Sequence, residues 1–361
     1  MSLVALAPPR LRRDPAGARA ALGLAAILVA AGLLALAAAA AVLTGPSGIP
    51  MDRLLAALVG AEGVLDRREA LVLYEVRLPR LALGVLVGAG LAVSGAMMQG
   101  LFRNPLADPG LVGVSSGAAV AAIGAIVLAD GALAPVAVLL GSHFLPAAAF
   151  AGALAATLLL YGLATFGGRT SIATLLLAGL GVAAVANALT GLMIFGASDA
   201  ELRDITFWSL GSLGGATWSR VVAVLPFIAA ALATIPFVAR GLDALGLGEA
   251  EAMHLGIRVQ LLKRVVVVAV AAACGAAVAV AGSIAFVGIV VPHLLRLAIG
   301  PSNRLLLPAS AVLGAALLVA ADAVSRVVVA PAELPIGIVT AIVGAPVFLA
   351  LLVRRRAALS L

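Results

Sequence analysis

Charge, cysteine, lysine and aromatic side chains are all scarce in this 361-residue chain. Charged residues make up 11% of it, and it holds one cysteine, two tryptophans, two tyrosines and three histidines. A single cysteine, Cys274, excludes an intrachain disulfide and a cysteine-built metal cluster. No histidine has a second ligand at metal-binding spacing, so no metal site is expected. Lys263 is the sole lysine and follows Leu261-Leu262 rather than a glycine loop. A G-x-x-x-x-G-K-[ST] phosphate loop is therefore absent, and the chain is not expected to bind a nucleotide cofactor or hydrolyse ATP itself. The net charge of +7 comes from arginines scattered through short segments and from Arg354, Arg355 and Arg356 near the end. That distribution does not point to nucleic acid. The apolar stretch Leu22 to Leu43 is long enough to span a bilayer and no cleavage site follows it, so it reads as a span, not a leader.

What is abundant is apolar sequence. Hydrophobic residues make up 64% of the chain and glycine contributes 40 residues. A water-soluble core needs far less, so the fold class is all-α, a polytopic membrane protein in contact with lipid. Small residues at this density suit helices that approach backbone to backbone. Ten stretches come near the ~20 residues that cross a bilayer: 20–43, 80–100, 110–129, 145–166, 172–195, 218–239, 264–282, 283–299, 305–328 and 335–353. A single transmembrane domain, 1–361, is expected, with a leading segment 1–19 and a polar loop 241–263. Ten spans put both termini on one side. That side collects fifteen of the 23 basic residues, among them Arg10, Arg12, Arg13, Arg19, Arg103, Arg169, Arg240 and Arg258. By the positive-inside rule both termini are cytoplasmic.

One stretch carries more than the rest. From Arg77 to Gly117 two arginines and a proline open a glycine-rich helix, which ends at Phe102-Arg103-Asn104-Pro105. A loop with Asp108, Pro109 and Gly110 then leads to a second apolar helix. Unpaired amides in lipid cost several kcal/mol each, so that loop must sit at a surface or line a polar cavity. There is also a faint repeat: the block 88–95 resembles the block 275–282, and each has a proline ten residues after its last glycine. In a ten-span count the two blocks lie five spans apart and so run in opposite directions, which suggests an inverted repeat.

With this topology, the chain resembles the permease subunits of ATP-binding cassette importers for vitamin B12, haem and ferric siderophores, the type II or FecCD-type class. The resemblance rests on RLPR at 77–80, SGAMMQGLFRNPLADPGLVGVSSGA at 94–118 and LGLGEAEAMHLGI at 245–257. It continues in GSIAFVGIVVPHLLR at 282–296, LPASAVLGAALLVAADAVSR at 307–326 and ELPIGIVTAIVGAPVF at 333–348. It implies a bacterial inner-membrane homodimer of permeases, two ATPase subunits that bind ATP and Mg, and a periplasmic binding protein that delivers the chelate. It also implies roles for residues. Arg77, Arg80 and Arg326 would receive acidic residues of the binding protein, the alternative being ordinary interfacial snorkelling. Asn104 and Leu106 would form part of a cytoplasmic gate, or Asn104 would simply end its helix. The second gate element falls on Ile172 and Ala173, where some relatives carry hydroxyls. In the loop 241–263, Glu249, Glu251, His254, Leu255 and Gly256 would form the coupling helix that docks on the ATPase. The segment 199–218 looks most like the haem-importing branch, with Arg203 toward a propionate and Phe207 and Trp208 toward a porphyrin face. His143 is another possible outer-face contact.

Two other classes are weighed against this reading. An ion-coupled secondary transporter buries a carboxylate in mid-span, and Asp322 is the nearest to that here. An intramembrane serine protease is suggested only by Gly113-Val-Ser-Ser-Gly117 together with His293.

Overall fold

The computed structural model describes residues 15–45, 48–61, 63–330 and 332–359. Arg10, Arg12 and Arg13 fall outside them, as do the side chains of Arg19 and Arg354 to Arg356. The structure is helical almost throughout. Helix α1 is Pro15–Leu43, α2 Met51–Leu58, α3 Arg67–Leu71, α4 Leu78–Leu101 and α5 Val114–Leu128. Then come α6 Ala134–Leu140, α7 Phe144–Ala164, α8 Ile172–Phe195, α9 Asp199–Leu210, α10 Trp218–Ala233 and α11 Ile235–Leu245. The chain continues with α12 Glu249–His254, α13 Val259–Ala281, α14 Val287–Ile299, α15 Asn303–Val327 and α16 Ile336–Leu359. Between α7 and α8, β1 (Thr165–Phe166) and β2 (Arg169–Thr170) pair as a small antiparallel hairpin.

Among the described residues, six helical segments are long and apolar enough to cross a membrane, and the pair α10–α11, bent by 49°, makes a seventh if counted as one span. Three shorter apolar helices, α5, α14 and the first part of α16, occupy the remaining stretches read from the sequence. Some boundaries move. The loop expected at 241–263 is mostly helix, because the apolar spacing of Val238, Leu242 and Leu245 continues α11, and Val259 and Leu262 begin α13. Only α12 and its short flanks remain of it. The expected spans 110–129 and 283–299 start four residues late, at Val114 and Val287.

Helix α4 is the central post. It packs on α15, α13, α14 and α10, while α1 lies against α15 and α5 against α7 and α8. Glycine sets how close the post comes to its neighbours. A Cβ on Gly95 would collide with the Gly288 carbonyl, and one on Gly88 with the Gly314 carbonyl. These are small-residue contacts of the kind that hold helices together where no hydrophobic force distinguishes helix from lipid.

The repeat seen in the sequence has a structural counterpart. Each block lies on a long helix, α4 or α13, and each helix is followed by an irregular break and a short helix, α5 of 15 residues or α14 of 13. Among the described residues, the two non-glycine residues with left-handed backbone, Arg103 (φ 51°) and Phe286 (φ 69°), mark these two breaks. Such conformations are costly for L-residues and persist only where the surroundings hold them.

Candidate functional site

At one end of the bundle three arginines meet. A π-helical turn, Val72–Arg77, runs into α4 and places Arg77 and Arg80 three residues apart on one helix face. Arg80 Nε donates to Asp322 Oδ1 at 2.9 Å and Arg80 Nη1 to Glu333 Oε1 at 2.9 Å. Arg326, one turn after Asp322 on α15, pairs with Asp322 Oδ2 at 3.2 Å and donates to the Ala41 carbonyl at 3.0 Å. Arg77 donates to the Val42 carbonyl. The last turn of α1 thus has two of its orphan carbonyls capped by guanidinium groups. All three arginines are buried, at 5 to 7% exposure, whereas the Glu333 side chain is 40% exposed. The local pairing of Asp322 with Arg326 is present, and Asp322 is buried in ion pairs within this cluster. Among the described pairs, two carboxylates, Asp322 and Glu333, meet Arg80 and Arg326.

At the opposite end, α12 stands between α11 and α13. Ala252 is its buried foot, while Glu251, Met253, His254, Leu255 and Gly256 are exposed. Leu247 and Met253 extend the outward face and are 69% and 58% exposed; composition alone did not single them out. Glu249 points the other way. Its carboxylate lies 2.7 Å from Lys263 Nζ, which is buried.

At this end, too, Asn104 closes α4. Its side-chain oxygen accepts from Leu106 N at 3.0 Å, the turn that a helix terminator makes. Ile172 and Ala173 are the first residues of α8, whose N-cap is Ser171, accepting from Thr174 N at 3.2 Å. The two elements approach through the 3-10 turn Pro109–Val112, which packs on α8 where Gly179 leaves room for the Leu111 carbonyl. Hydroxyls do stand at the head of α8, on Ser171 and Thr174, flanking the positions expected to carry them.

In the middle, the two breaks come together. Asp108, Pro109 and Ser115 from the first face Ser283, Ile284 and Gly288 from the second around a cavity of about 30 Å³, closed by Leu91 and Cys274. That is room for about one or two waters. The loop of Asp108 therefore lines a small polar cleft that opens to the surface at Ser283, and Asp108 itself is partly buried. The carboxylate caps the turn, accepting from Gly110 N at 2.7 Å. Ser116 Oγ is bonded to the Gly113 carbonyl at 3.2 Å, so that serine is engaged locally.

Near the arginine end lies a larger cleft of about 290 Å³, lined by Asp204, Phe207, Trp208, Arg220 and the last residues of α13. Two of the three expected contacts, Phe207 and Trp208, are on it. Arg203 is not. It is exposed, about 100° round α9 from Asp204. The cation facing the cleft is Arg220, from α10. Trp208 Nε1 is buried with no acceptor among the described residues. His143 Nε2 and Ser219 Oγ are 3.0 Å apart at the rim. Helix α9 itself is held by a capping box: Ser198 N and Oγ donate to Glu201, which keeps that carboxyl below its usual range.

Apolar helices of this length, two of them followed by an irregular break, define a multi-pass helical membrane protein. The chain belongs to the FecCD transport family, whose model matches residues 27–354. It is 46% identical to the cobalamin import system permease protein BtuC of Halobacterium salinarum, over 80% of this chain and 75% of that one. It is 45% identical to the hemin transport system permease protein HmuU of Yersinia pestis, over 78% of this chain and 83% of that one. Among solved structures, an inward-facing metal-chelate type ABC transporter superposes with a TM-score of 0.77 at 29% identity, covering 91% of this chain and 98% of that one.

Proposed function

We propose that this chain is the membrane-spanning subunit of an ATP-binding cassette importer for metal chelates, carrying haem in preference to cobalamin or a ferric siderophore. The observation that carries this reading is the division of labour between the two ends. One end presents a short exposed helix, α12, with Glu251, Met253, His254 and Leu255 outward, suited to the groove of a separate ATPase that supplies ATP and Mg. The other end holds a buried arginine cluster reached through the partly exposed Glu333, suited by exchange of that carboxylate to the acidic lobes of a periplasmic binding protein. In this reading the α12 side faces the cytoplasm, as the positive-inside rule has it. Two copies of the chain, with two ATPases, enclose the path, and Asn104, Leu106, Ile172 and Ala173 sit at its cytoplasmic mouth.

Docking at the arginine end works by exchange. Arg80 is already paired, and Glu333 is the half-exposed member of its pairs. A carboxylate from the binding protein replaces Glu333 on Arg80 without breaking the buried pair with Asp322. Haem is favoured because the nearby cleft joins an aromatic wall, Phe207 and Trp208, to one cation, Arg220, that suits a propionate edge.

The test is reconstitution with the neighbouring ATPase and binding protein, comparing ATP-dependent uptake of haem, cobalamin and ferric siderophores. Haem uptake is expected, with loss in Arg77→Glu/Arg80→Glu. Glu333→Gln should bind the binding protein more tightly. Uptake of cobalamin alone removes the haem assignment, and weaker binding in Glu333→Gln removes the exchange. One observation favours a second reading: the partly buried Asp108 carboxylate lines a small polar cleft between the two helix breaks, and a carboxylate placed among spans is a feature of ion-coupled transporters.

A further inference from the structure

We infer that Lys263 is the positioning residue that ties the α12 helix to the hairpin at the head of α8, so that displacement of one carries the other. The inference rests on the proposed importer role and adds an internal link that the role alone does not require.

The geometry is specific. Lys263 is the only lysine in a chain with 23 basic residues. Its side chain is 2% exposed. A buried ammonium is costly unless all its donors are used. Here Nζ donates to Glu249 Oε2 at 2.8 Å and to the Thr170 carbonyl at 2.8 Å. Glu249 is the first residue of α12, and Thr170 ends β2, two residues before Ile172 opens α8. One group therefore holds two elements 79 residues apart in sequence (249 against 170).

A second bond fixes the same point. The Thr170 amide donates to Gln260 Oε1 at 2.9 Å, so both backbone groups of Thr170 end on side chains from the first two turns of α13. The hairpin is braced from behind as well: Thr170 Oγ1 lies 3.0 Å from Thr165 Oγ1 and 3.3 Å from the Tyr161 hydroxyl. Thr170 cannot move relative to α13 without releasing these bonds, and α12 is held to α13 by the same ammonium. Arginine is used at every other basic position, yet a compact ammonium with three rotatable donors suits two acceptors in different directions better than a planar fork.

Two consequences follow for the residues at the α12 end. Glu249 acts inside the chain, whereas Glu251 faces outward. Moreover, a push on α12 reaches Ser171, Ile172 and Ala173 through side-chain bonds to a rigid helix terminus, not through the flexible connection along the chain.

The test uses the full reconstituted importer with ATPase and binding protein, measuring uptake of haem and phosphate release in the same vesicles. The wild type must first show ATP-dependent uptake of a chelate; if no chelate is taken up, the importer reading itself fails. Given uptake, Lys263→Met and Glu249→Ala should each lower the ratio of substrate moved to ATP hydrolysed by about 5- to 10-fold, with hydrolysis little changed. The double variant should match either single one, because both break the same link. Lys263→Arg should recover part of the ratio. If uptake and hydrolysis fall together with the ratio unchanged, Lys263 only supports the fold and the inference is wrong. Additive loss in the double variant overturns it as well. Lys263→Met keeps the test open if Glu249→Ala does not fold, since it leaves only the partly exposed Glu249 carboxylate unpaired, whereas Glu249→Ala strands a buried ammonium.

Discussion

Removal of Asp322 is the most informative single perturbation of the folded state. Its carboxylate meets Arg80 at 2.9 Å and Arg326 at 3.2 Å, and all three side chains are 8% exposed or less. Asp322→Ala leaves two buried guanidiniums with one partly exposed carboxylate, Glu333, between them. Breaking a buried pair by deleting one partner costs about 3–5 kcal/mol, mostly because the remaining charge cannot be resolvated. Glu333→Ala removes a carboxylate that also pairs with Arg80 at 2.9 Å but is 40% exposed. Water can take its place, so the cost is about 0–1 kcal/mol. Two ion pairs of equal length should therefore differ several-fold in consequence. The assay is thermal unfolding of the purified permease in detergent, followed by loss of monodisperse protein. A third variant, Arg80→Met with Asp322→Leu, removes the Arg80–Asp322 pair together and should lie nearer the wild type than Asp322→Ala. Equal shifts for Asp322→Ala and Glu333→Ala would refute the reasoning, since burial would then not govern the cost.

Other outcomes can be stated more briefly. Gly95→Ala should destabilise by about 1–3 kcal/mol, because its methyl meets the Gly288 carbonyl and α4 must move off α14; wild-type unfolding would show that contact to be slack. Asp243 accepts from the Asn303 amide at 2.7 Å and from Asn303 Nδ2 at 2.8 Å, capping α15 from another helix. Asp243→Ala should cost about 1 kcal/mol and speed hydrogen exchange in the first turn of α15. Leu255→Asp should weaken ATPase association with the unfolding temperature unchanged, and an unaltered affinity would remove the outward face of α12 as the docking surface. The Ser198–Glu201 box should hold at neutral pH and open as pH falls through the lowered pKa of Glu201, because its protonated carboxyl accepts less well. Exchange at the start of α9 should rise there and not above it.

The α4–α5 stretch was legible because its punctuation is local. Pro79 sits at the start of α4, Asn104-Pro105 follows its end, and Gly113 with φ 79° is the N-cap of α5. The breaks after α4 and α13 followed from prolines and glycines at matching distances. What the sequence hid is direction. Glu249 and Glu251 look alike two residues apart, yet they lie about 200° apart round α12, so one turns into Lys263 and the other to the outside. Arg203 was misplaced because α9 carries charged residues on several faces, Asp199, Glu201, Arg203 and Asp204, so no apolar stripe fixes its rotation, while the cation that does face the cleft, Arg220, comes from α10. The depth of Asp108 was open because a loop in a membrane protein is polar whether it faces water or an internal cavity. One signal was available and unused: a single lysine among arginines marks a position where the compact ammonium is needed.

The central claim is that this chain is a passive scaffold moved by proteins bound at its two ends. Its most direct test loads proteoliposomes with the purified chain alone, and in parallel with its ATPase and binding protein, then imposes a proton or sodium gradient or internal ATP. The account predicts uptake of the chelate only with both partners and ATP, unaffected by collapse of the gradient. Gradient-driven accumulation by the lone chain would contradict it and would turn attention to Asp108.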